Sequence, residues 1–273
     1  MRRRWAYEST MGTGGSLAKI LLGAAVALLT QIGGAEADQR SDFLAGLSVE
    51  CPGCELQGAI LKRFALDGAN LAGANLAGAN LHDASLRNAN LQGADLSGAN
   101  LNKVSLLGAV LTNADFSDAL LFAADLSAVV ATDANFEGAR LGETIWTRAN
   151  LTGSIMINTN LRFARLGSAT LVGVDFRGSI MDDVHLVLAD LTSANLSYTS
   201  LLRAQLQGAT LQSALVQRAD LHQADLRRAD LTGADFRGSR LTSAVLSEAI
   251  IADTRFEEAV MPDGRLWAPA GSP

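Results

Sequence analysis

The chain places an apolar residue at every fifth position, without insertion or deletion, from Leu56 to Met261. On an α-helix, a step of five residues turns about 140° beyond a full turn, so these side chains would spiral around every face. On a strand, side chains alternate with a period of two, so an odd step would alternate between the two faces. The period therefore belongs to a unit larger than one helical turn or pleat, and it predicts a solenoid of short repeats.

Two further positions in each unit have their own residue preferences. Two places before the apolar centre, alanine fills 29 of the 41 positions from Ala59 to Ala259. This residue and the centre lie on the same side of an extended segment, and we expect that side to face inward. Two places after the centre, Gly, Asn or Asp fills 22 of the 41 positions from Gly58 to Glu258. Because these residues tolerate φ > 0, this position predicts a corner.

The motif A-(D/N)-L-x-x, as in ADLSG at residues 94–98 and ADLTG at residues 229–233, resembles that of pentapeptide-repeat proteins. The resemblance covers about three quarters of the chain. It implies an all-β fold, a right-handed quadrilateral parallel β-helix with four units, or 20 residues, in each coil. The 42 centres from Leu56 to Met261 would then form about ten and a half coils. At ~4.8 Å per coil, the rod would be roughly 50 Å long.

The phenylalanines support a 20-residue coil. Five centres are phenylalanine, and multiples of 20 residues separate them: Phe116, Phe136, Phe176, Phe236 and Phe256. This spacing predicts a column of rings on one side of the rod, in coils ~4.8 Å apart.

The N-terminal segment has the layout of a secretory signal peptide. Three arginines start it, an apolar run covers residues 20–29, and Ala35-Glu36-Ala37 is a small-x-small cleavage site. We therefore interpret residues 1–37 as a signal peptide of an exported, periplasmic or secreted protein. The alternative is an inner-membrane anchor through residues 20–34. The apolar run is short for a membrane span, which needs about 20 residues.

The remaining boundaries follow from where the repeat begins and ends. Residues 38–53 form an N-terminal cap, 54–261 the β-helix, and 262–273 a C-terminal cap and tail. In the first cap, Ser41 is expected to begin a short helix whose apolar side carries Phe43, Leu44 and Leu47. At the other end, Leu266 and Trp267 are expected to fold over the last coil.

Cys51 and Cys54 form the one motif in the sequence that suggests a specific chemical role. In an exported protein, a disulfide that fastens the cap to the first coil is the favoured interpretation. A CxxC beside the first repeat is also implied by the resemblance to exported members of the family. Thiol exchange would need a thioredoxin-like context. Zinc would need about two further ligands, and haem attachment would need a histidine where Glu55 stands.

The pattern assembles no catalytic, cofactor or metal site. His82, His185 and His222 are expected to point outward at separate places on the rod. The many aspartates that precede the centres are part of the repeat, so their spacing follows from the fold. We therefore predict no enzymatic activity.

One side of the rod has a distinctive surface. On the side whose centres run from Leu71 to Ile251 in steps of 20, no Lys or Arg flanks a centre. We interpret it as a flat, neutral, threonine-rich wall, called here the threonine side, and as a docking face for a protein or a regular surface. Its threonines are Thr112, Thr132, Thr152, Thr192 and Thr232.

The net charge of the chain bears on which kind of partner it binds. The net charge is −6 and becomes −8 once residues 1–37, with four basic and two acidic residues, are removed. This argues against nucleic acid or an anionic membrane as partner. We expect an envelope scaffold that binds a protein partner, has no membrane span after cleavage, and could form an end-to-end or side-to-side homodimer. The alternative, implied by the resemblance to members that protect DNA gyrase from quinolones, is an acidic DNA mimic that binds gyrase or another nucleic-acid-binding protein.

Overall fold

A computed structural model describes residues 35–268. The chain divides into two units, Met1–Asp38 and Gln39–Pro273. The predicted membrane anchor and all but the last residues of the predicted signal peptide lie outside the described residues, as does the tail from residue 269. No helix among residues 35–268 is both long and apolar enough to cross a membrane.

The described part consists of helix α1, Ala35–Leu44, followed by a β-helix. Each five-residue unit contributes one bridged residue, and its parallel partner lies 20 residues further along, from Glu50↔Asn70 to Arg240↔Val260. The 20-residue coil that the family resemblance implied, and that the phenylalanine spacing supports, is therefore present. The four sides of the rod are named here for their first centres, as the Leu56, Leu61, Leu66 and Leu71 sides.

Backbone hydrogen bonds hold each coil to both of its neighbours. The N–H of Asn90 donates to Ala69 O in the preceding coil at 2.8 Å, and the N–H of Leu91 donates to Val110 O in the following coil at 2.8 Å. Within the unit, the N–H of Ala94 donates to Leu91 O at 3.0 Å and closes the corner. The same three bonds recur along the rod, so each coil depends on the coils beside it.

The corner prediction is confirmed. Every fifth residue from Gly53 to Glu258 has a positive φ, with values from 54° to 71°. The conformation is imposed by the coil rather than by the residue, since Phe163, Leu188 and Tyr198 adopt it at φ of 60°, 59° and 62°. Bulky residues are uncommon in this region of φ/ψ space.

The core contains nearly all of the centres and the small residues two places before them, as predicted, but Ile251 near the C-terminal end is 50% exposed. The aromatic column is present where phenylalanines are in adjacent coils. Phe116 and Phe136 stack with ring centroids 4.9 Å apart, and Phe236 and Phe256 lie 5.5 Å apart. Trp146 is buried edge-on against Phe136, at 5.4 Å.

The N-terminal end differs from the prediction in two respects. Ser41 lies inside α1 rather than at its start, because the helix already begins at Ala35. Leu47 lies beyond the helix and is 79% exposed. The apolar contact instead comes from Phe43, which is fully buried in the core cluster, while Arg40 Nε donates to Glu55 O of the first coil at 2.7 Å.

At the C-terminal end, one of the two predicted side chains covers the last coil. The ring of Trp267 lies 5.2 Å from that of Phe256, and the backbone N–H of Trp267 donates to Ala259 O at 2.7 Å. An antiparallel bridge joins Val260 and Leu266, and it leaves the Leu266 side chain 68% exposed. The prediction for Leu266 was therefore wrong, because adjacent residues of an extended segment point to opposite faces.

Candidate interaction surfaces

A polar side chain before a centre accepts a hydrogen bond from the backbone of its own unit. Asn90 Oδ1 accepts a hydrogen bond from the N–H of Gln92 at 3.1 Å, and Asp190 Oδ1 accepts one from the N–H of Thr192 at 3.0 Å. The same bond recurs in many units. It explains why Asn or Asp precedes so many centres, since a side-chain oxygen there satisfies a backbone donor.

The threonines of the threonine side are half-buried, and their hydroxyl groups are used within that side. Thr152 Oγ1 donates to Asn150 Oδ1 at 2.8 Å, and the hydroxyls of Thr112 and Thr132 lie 3.2 Å apart. Thr192 and Thr232 donate in the same way to the aspartates two places before them. The hydroxyls of these threonines are therefore bonded within the side, and their methyl groups are the part of each side chain that a partner could bury.

The threonine side is not neutral, and this corrects the interpretation from sequence. Asp190 and Asp230 precede two of its centres, with no Lys or Arg beside the centres to balance them. The Thr232 hydroxyl lowers the pKa of Asp230, and Gln212 and the Thr232 backbone add to the effect. Val110 and Val130 add exposed apolar surface near Thr112 and Thr132. This side is thus weakly acidic and partly apolar.

The Leu56 side carries compact ion pairs instead. Arg237 donates to both carboxylate oxygens of the buried Asp235, through Nε at 2.9 Å and through Nη2 at 2.6 Å. With a further bond from Gln217, this lowers the pKa of Asp235 to about 2 although burial opposes it. Arg177 and Asp175 repeat the arrangement in an earlier coil. The charges of these two carboxylates are therefore locally balanced.

The two cysteines lie together at the start of the β-helix. Cys51 and Cys54 are buried, with their Cα atoms 5.3 Å apart and their Sγ atoms 2.00 Å apart. The Cα separation falls within the usual range for a disulfide. Cys51 N–H donates to Asn70 O of the next coil at 2.8 Å, so the motif is already part of the first coil.

The histidines contribute to no metal site that the described coils contain. No group of three or more His, Cys, Asp or Glu residues suited to a metal ion occurs within residues 35–268. His82 and His222 follow centres on the Leu61 side, and His185 precedes a centre on the Leu66 side. His82 lies about five coils from His185, and His185 and His222 lie on different sides of the rod.

One surface feature was missed in the sequence. Phe122 is 44% exposed and Phe163 is 54% exposed, both next to a cleft of about 430 Å3 centred on Gly142. The sequence did carry a signal, because aromatic residues stand at outward positions where the repeat has polar residues or glycine. Leu188 and Tyr198 depart from the repeat in the same way.

Comparison with family models gives one match. The model described as pentapeptide repeats matches in eight copies, over residues 50–88, 65–102, 89–127, 134–171, 169–201 and 204–242. These ranges cover more than half of the chain. Comparison with curated protein sequences gives no match.

Several solved structures resemble the chain. HetL is a pentapeptide repeat protein involved in heterocyst differentiation regulation in the cyanobacterium Nostoc sp. strain PCC 7120, and it is 30% identical to this chain. The match covers 83% of this chain and 97% of HetL, with a TM-score of 0.46. Trypsin-treated QnrB1, a plasmid-mediated fluoroquinolone resistance protein, is 19% identical over 59% of this chain and 89% of its own, with a TM-score of 0.50. A pentapeptide repeat protein of the Arabidopsis thaliana thylakoid lumen is 29% identical. The match covers 44% of this chain and 73% of that protein, with a TM-score of 0.33.

Proposed function

Because the chain belongs to the pentapeptide repeat family, we propose that it is a non-enzymatic scaffold or protein-interaction module of the bacterial cell envelope. The threonine side is the observation that carries this proposal. Its half-buried threonines have their hydroxyls bonded within the side, so covering them removes little polar surface from water. Its methyl groups and valines gain from burial. A flat protein surface without a strong negative charge fits it best.

Two pairs of substitutions test the docking face. Thr132→Lys with Thr152→Lys places two charges in adjacent coils of the threonine side, where partner binding would bury them. Ser97→Lys with Ser117→Lys is the matched control, because these half-buried residues follow centres in adjacent coils of the Leu56 side. We expect crosslinking of the exported protein to envelope partners to be lost only in the threonine pair. Equal crosslinking in both pairs would contradict the docking face.

Export is tested by expressing the full chain in a bacterial host, separating periplasm from cytoplasm, and determining the product's mass. We expect a periplasmic product that begins at Asp38 and gains the mass of two hydrogens on reduction of a Cys51–Cys54 disulfide. A variant with Ala35→Leu and Ala37→Leu should remain uncleaved. A cytoplasmic, full-length, reduced product would overturn both the localisation and the disulfide.

The second candidate is an acidic rod that mimics DNA and binds DNA gyrase or another nucleic-acid-binding protein. The net charge of −6 favours it. The ion pairs of the Leu56 side weigh against it, since they interrupt the negative surface. A gyrase supercoiling assay with residues 38–273 is the test. Inhibition that disappears at high salt would support the mimic, and no inhibition at micromolar protein would exclude gyrase as the partner.

A further inference from the structure

Phe163 occupies a corner where its side chain is both strained and largely exposed. Its φ is 60°, and a residue with a Cβ in the left-handed region costs about 1–2 kcal/mol. The residue remains 54% exposed, and its ring is in no aromatic or cation–π pair within residues 35–268. Glycine would be the less strained residue at this corner, so the phenyl ring is not explained by folding.

A cleft lies beside this ring because Gly142 lacks a side chain. Gly142 follows a centre on the Leu61 side, between Phe122 in the preceding coil and Arg162 in the following one. A Cβ at this position would lie 3.5 Å from Phe122 Cδ2, so the missing side chain uncovers one face of that ring. Phe122 and Phe163 therefore line a single cleft of about 430 Å3. A side chain from a partner can pack between the two rings.

The charges around the cleft favour an anionic partner. Arg140 lines it, and Arg165 lines the adjoining cleft on the other flank of Phe163. Neither arginine has an acidic partner within residues 35–268. Arg162 is already paired with Asp182 at 3.1 Å, and Glu143 is the carboxylate in the lining. Two guanidinium groups thus remain available for carboxylates.

We propose that this cleft binds an acidic peptide segment, with an aromatic or aliphatic side chain between Phe122 and Phe163 and carboxylates on Arg140 and Arg165. The proposal rests on the function as an interaction module and names the chemistry of a partner. A short segment fits better than a nucleic acid or a membrane. Charges beyond about 8–10 Å are screened, so a short segment senses mainly the local arginines, whereas a longer polyanion would lie along the acidic rod.

The test uses the full chain and a fluorescein-labelled peptide, Glu-Asp-Trp-Leu-Asp-Glu, with fluorescence anisotropy as the readout. We expect saturable binding with a Kd on the order of 10–100 µM, weakened about tenfold by Phe163→Gly. Gly142→Leu should fill the cleft and abolish binding, and Arg140→Gln should weaken binding and reduce its dependence on salt. Phe163→Gly is expected to fold normally, since glycine suits the corner.

Tyr198→Gly is the matched control, because it removes an exposed aromatic residue from a corner on another edge of the rod. It should leave the Kd unchanged. The proposal is overturned if the peptide does not bind by about 1 mM, if Phe163→Gly and Tyr198→Gly act equally, or if a peptide with lysines in place of the acidic residues binds as tightly. Envelope crosslinking that persists in Phe163→Gly would leave the scaffold proposal standing while this one falls.

Discussion

Thr144 and Trp146 form the most specific polar contact in the core. Trp146 Nε1 donates to Thr144 Oγ1 at 2.8 Å, and that hydroxyl donates to Leu141 O at 2.6 Å. Both side chains are fully buried. Thr144 stands where most units have alanine, and Trp146 stands where most have leucine. The tryptophan therefore depends on a hydroxyl at a position that normally has none.

Thr144→Val preserves the shape of the side chain but leaves the indole N–H without an acceptor. A buried donor without a partner costs about 1–3 kcal/mol, and the added methyl group offsets part of that. We expect the free energy of unfolding to fall by about 2 kcal/mol. In a Trp146→Phe background there is no indole N–H, so the same substitution should cost less than about 1 kcal/mol.

Urea denaturation of the four proteins in this cycle, followed by circular dichroism, measures the coupling. Because a solenoid can unfold coil by coil, hydrogen exchange of the amides near Leu141 should accompany it, to confirm that the same region opens. We expect a coupling free energy of about 1–2 kcal/mol between positions 144 and 146. If Thr144→Val costs the same with Trp146 and with Phe at that position, the hydrogen bond does not stabilise the coil and the reasoning fails.

Three further predictions concern the corners, the ion pairs and the cysteines. Ala123→Gly should stabilise the protein by roughly 0.5–1 kcal/mol, because φ there is 55° and glycine adopts it without strain. Ala124→Gly should destabilise the protein by roughly 1–2 kcal/mol, because a buried methyl group is lost. Thermal denaturation of both variants checks these two expectations. Asp235→Asn should lower the free energy of unfolding by about 1–2 kcal/mol at pH 7. Since the pKa of Asp235 is lowered to about 2 in the folded protein, denaturation at a series of pH values should show this difference vanishing as the pH falls from about 4 to about 2. Replacing Cys51 and Cys54 together by serine should cost about 2 kcal/mol more under oxidising conditions than under reducing ones, the loop-closure value for so short a loop. The hydroxyls buried in place of the sulfurs cost the same under both conditions, and hydrogen exchange of the first coil would report the difference.

The coil was predictable because each of its rules acts within five residues and is repeated many times. The register followed from an inward centre, a small residue two places before it and a corner two places after it. The coil length followed from the family resemblance and was supported by the phenylalanine column. A single departure, such as Thr144, does not hide a period that the neighbouring units repeat. The corner position was recognisable in the sequence because glycine, asparagine and aspartate are the residues that most readily adopt a positive φ.

The two ends and the cleft were not predictable in this way, for two physical reasons. At the ends the repeat stops, so Ser41 and Leu266 had no neighbouring units to fix their orientation. The cleft depends on residues 20 or more positions apart, since Phe122, Gly142 and Arg162 meet only because three coils stack. Phe122 departs from the repeat, but Gly142 and Arg162 are ordinary in their own units, and the combination of the three requires the coil length and the side to be known first.

The three bulky corners show why exposure alone does not identify an interaction site. Leu188 lies over Gly208, with its Cδ2 only 3.0 Å from where a Cβ of that glycine would be. Tyr198 accepts a hydrogen bond from Arg218 Nη1 at 3.4 Å, and the guanidinium lies 5.8 Å from its ring centroid. Both side chains thus recover part of the corner strain through contacts with the next coil. Phe163 belongs to no aromatic, cation–π or side-chain hydrogen-bonded pair within the described coils, and it lines the cleft near the unpaired Arg140 and Arg165 instead. At equal φ and similar exposure, it is the corner whose side chain is best explained by a partner.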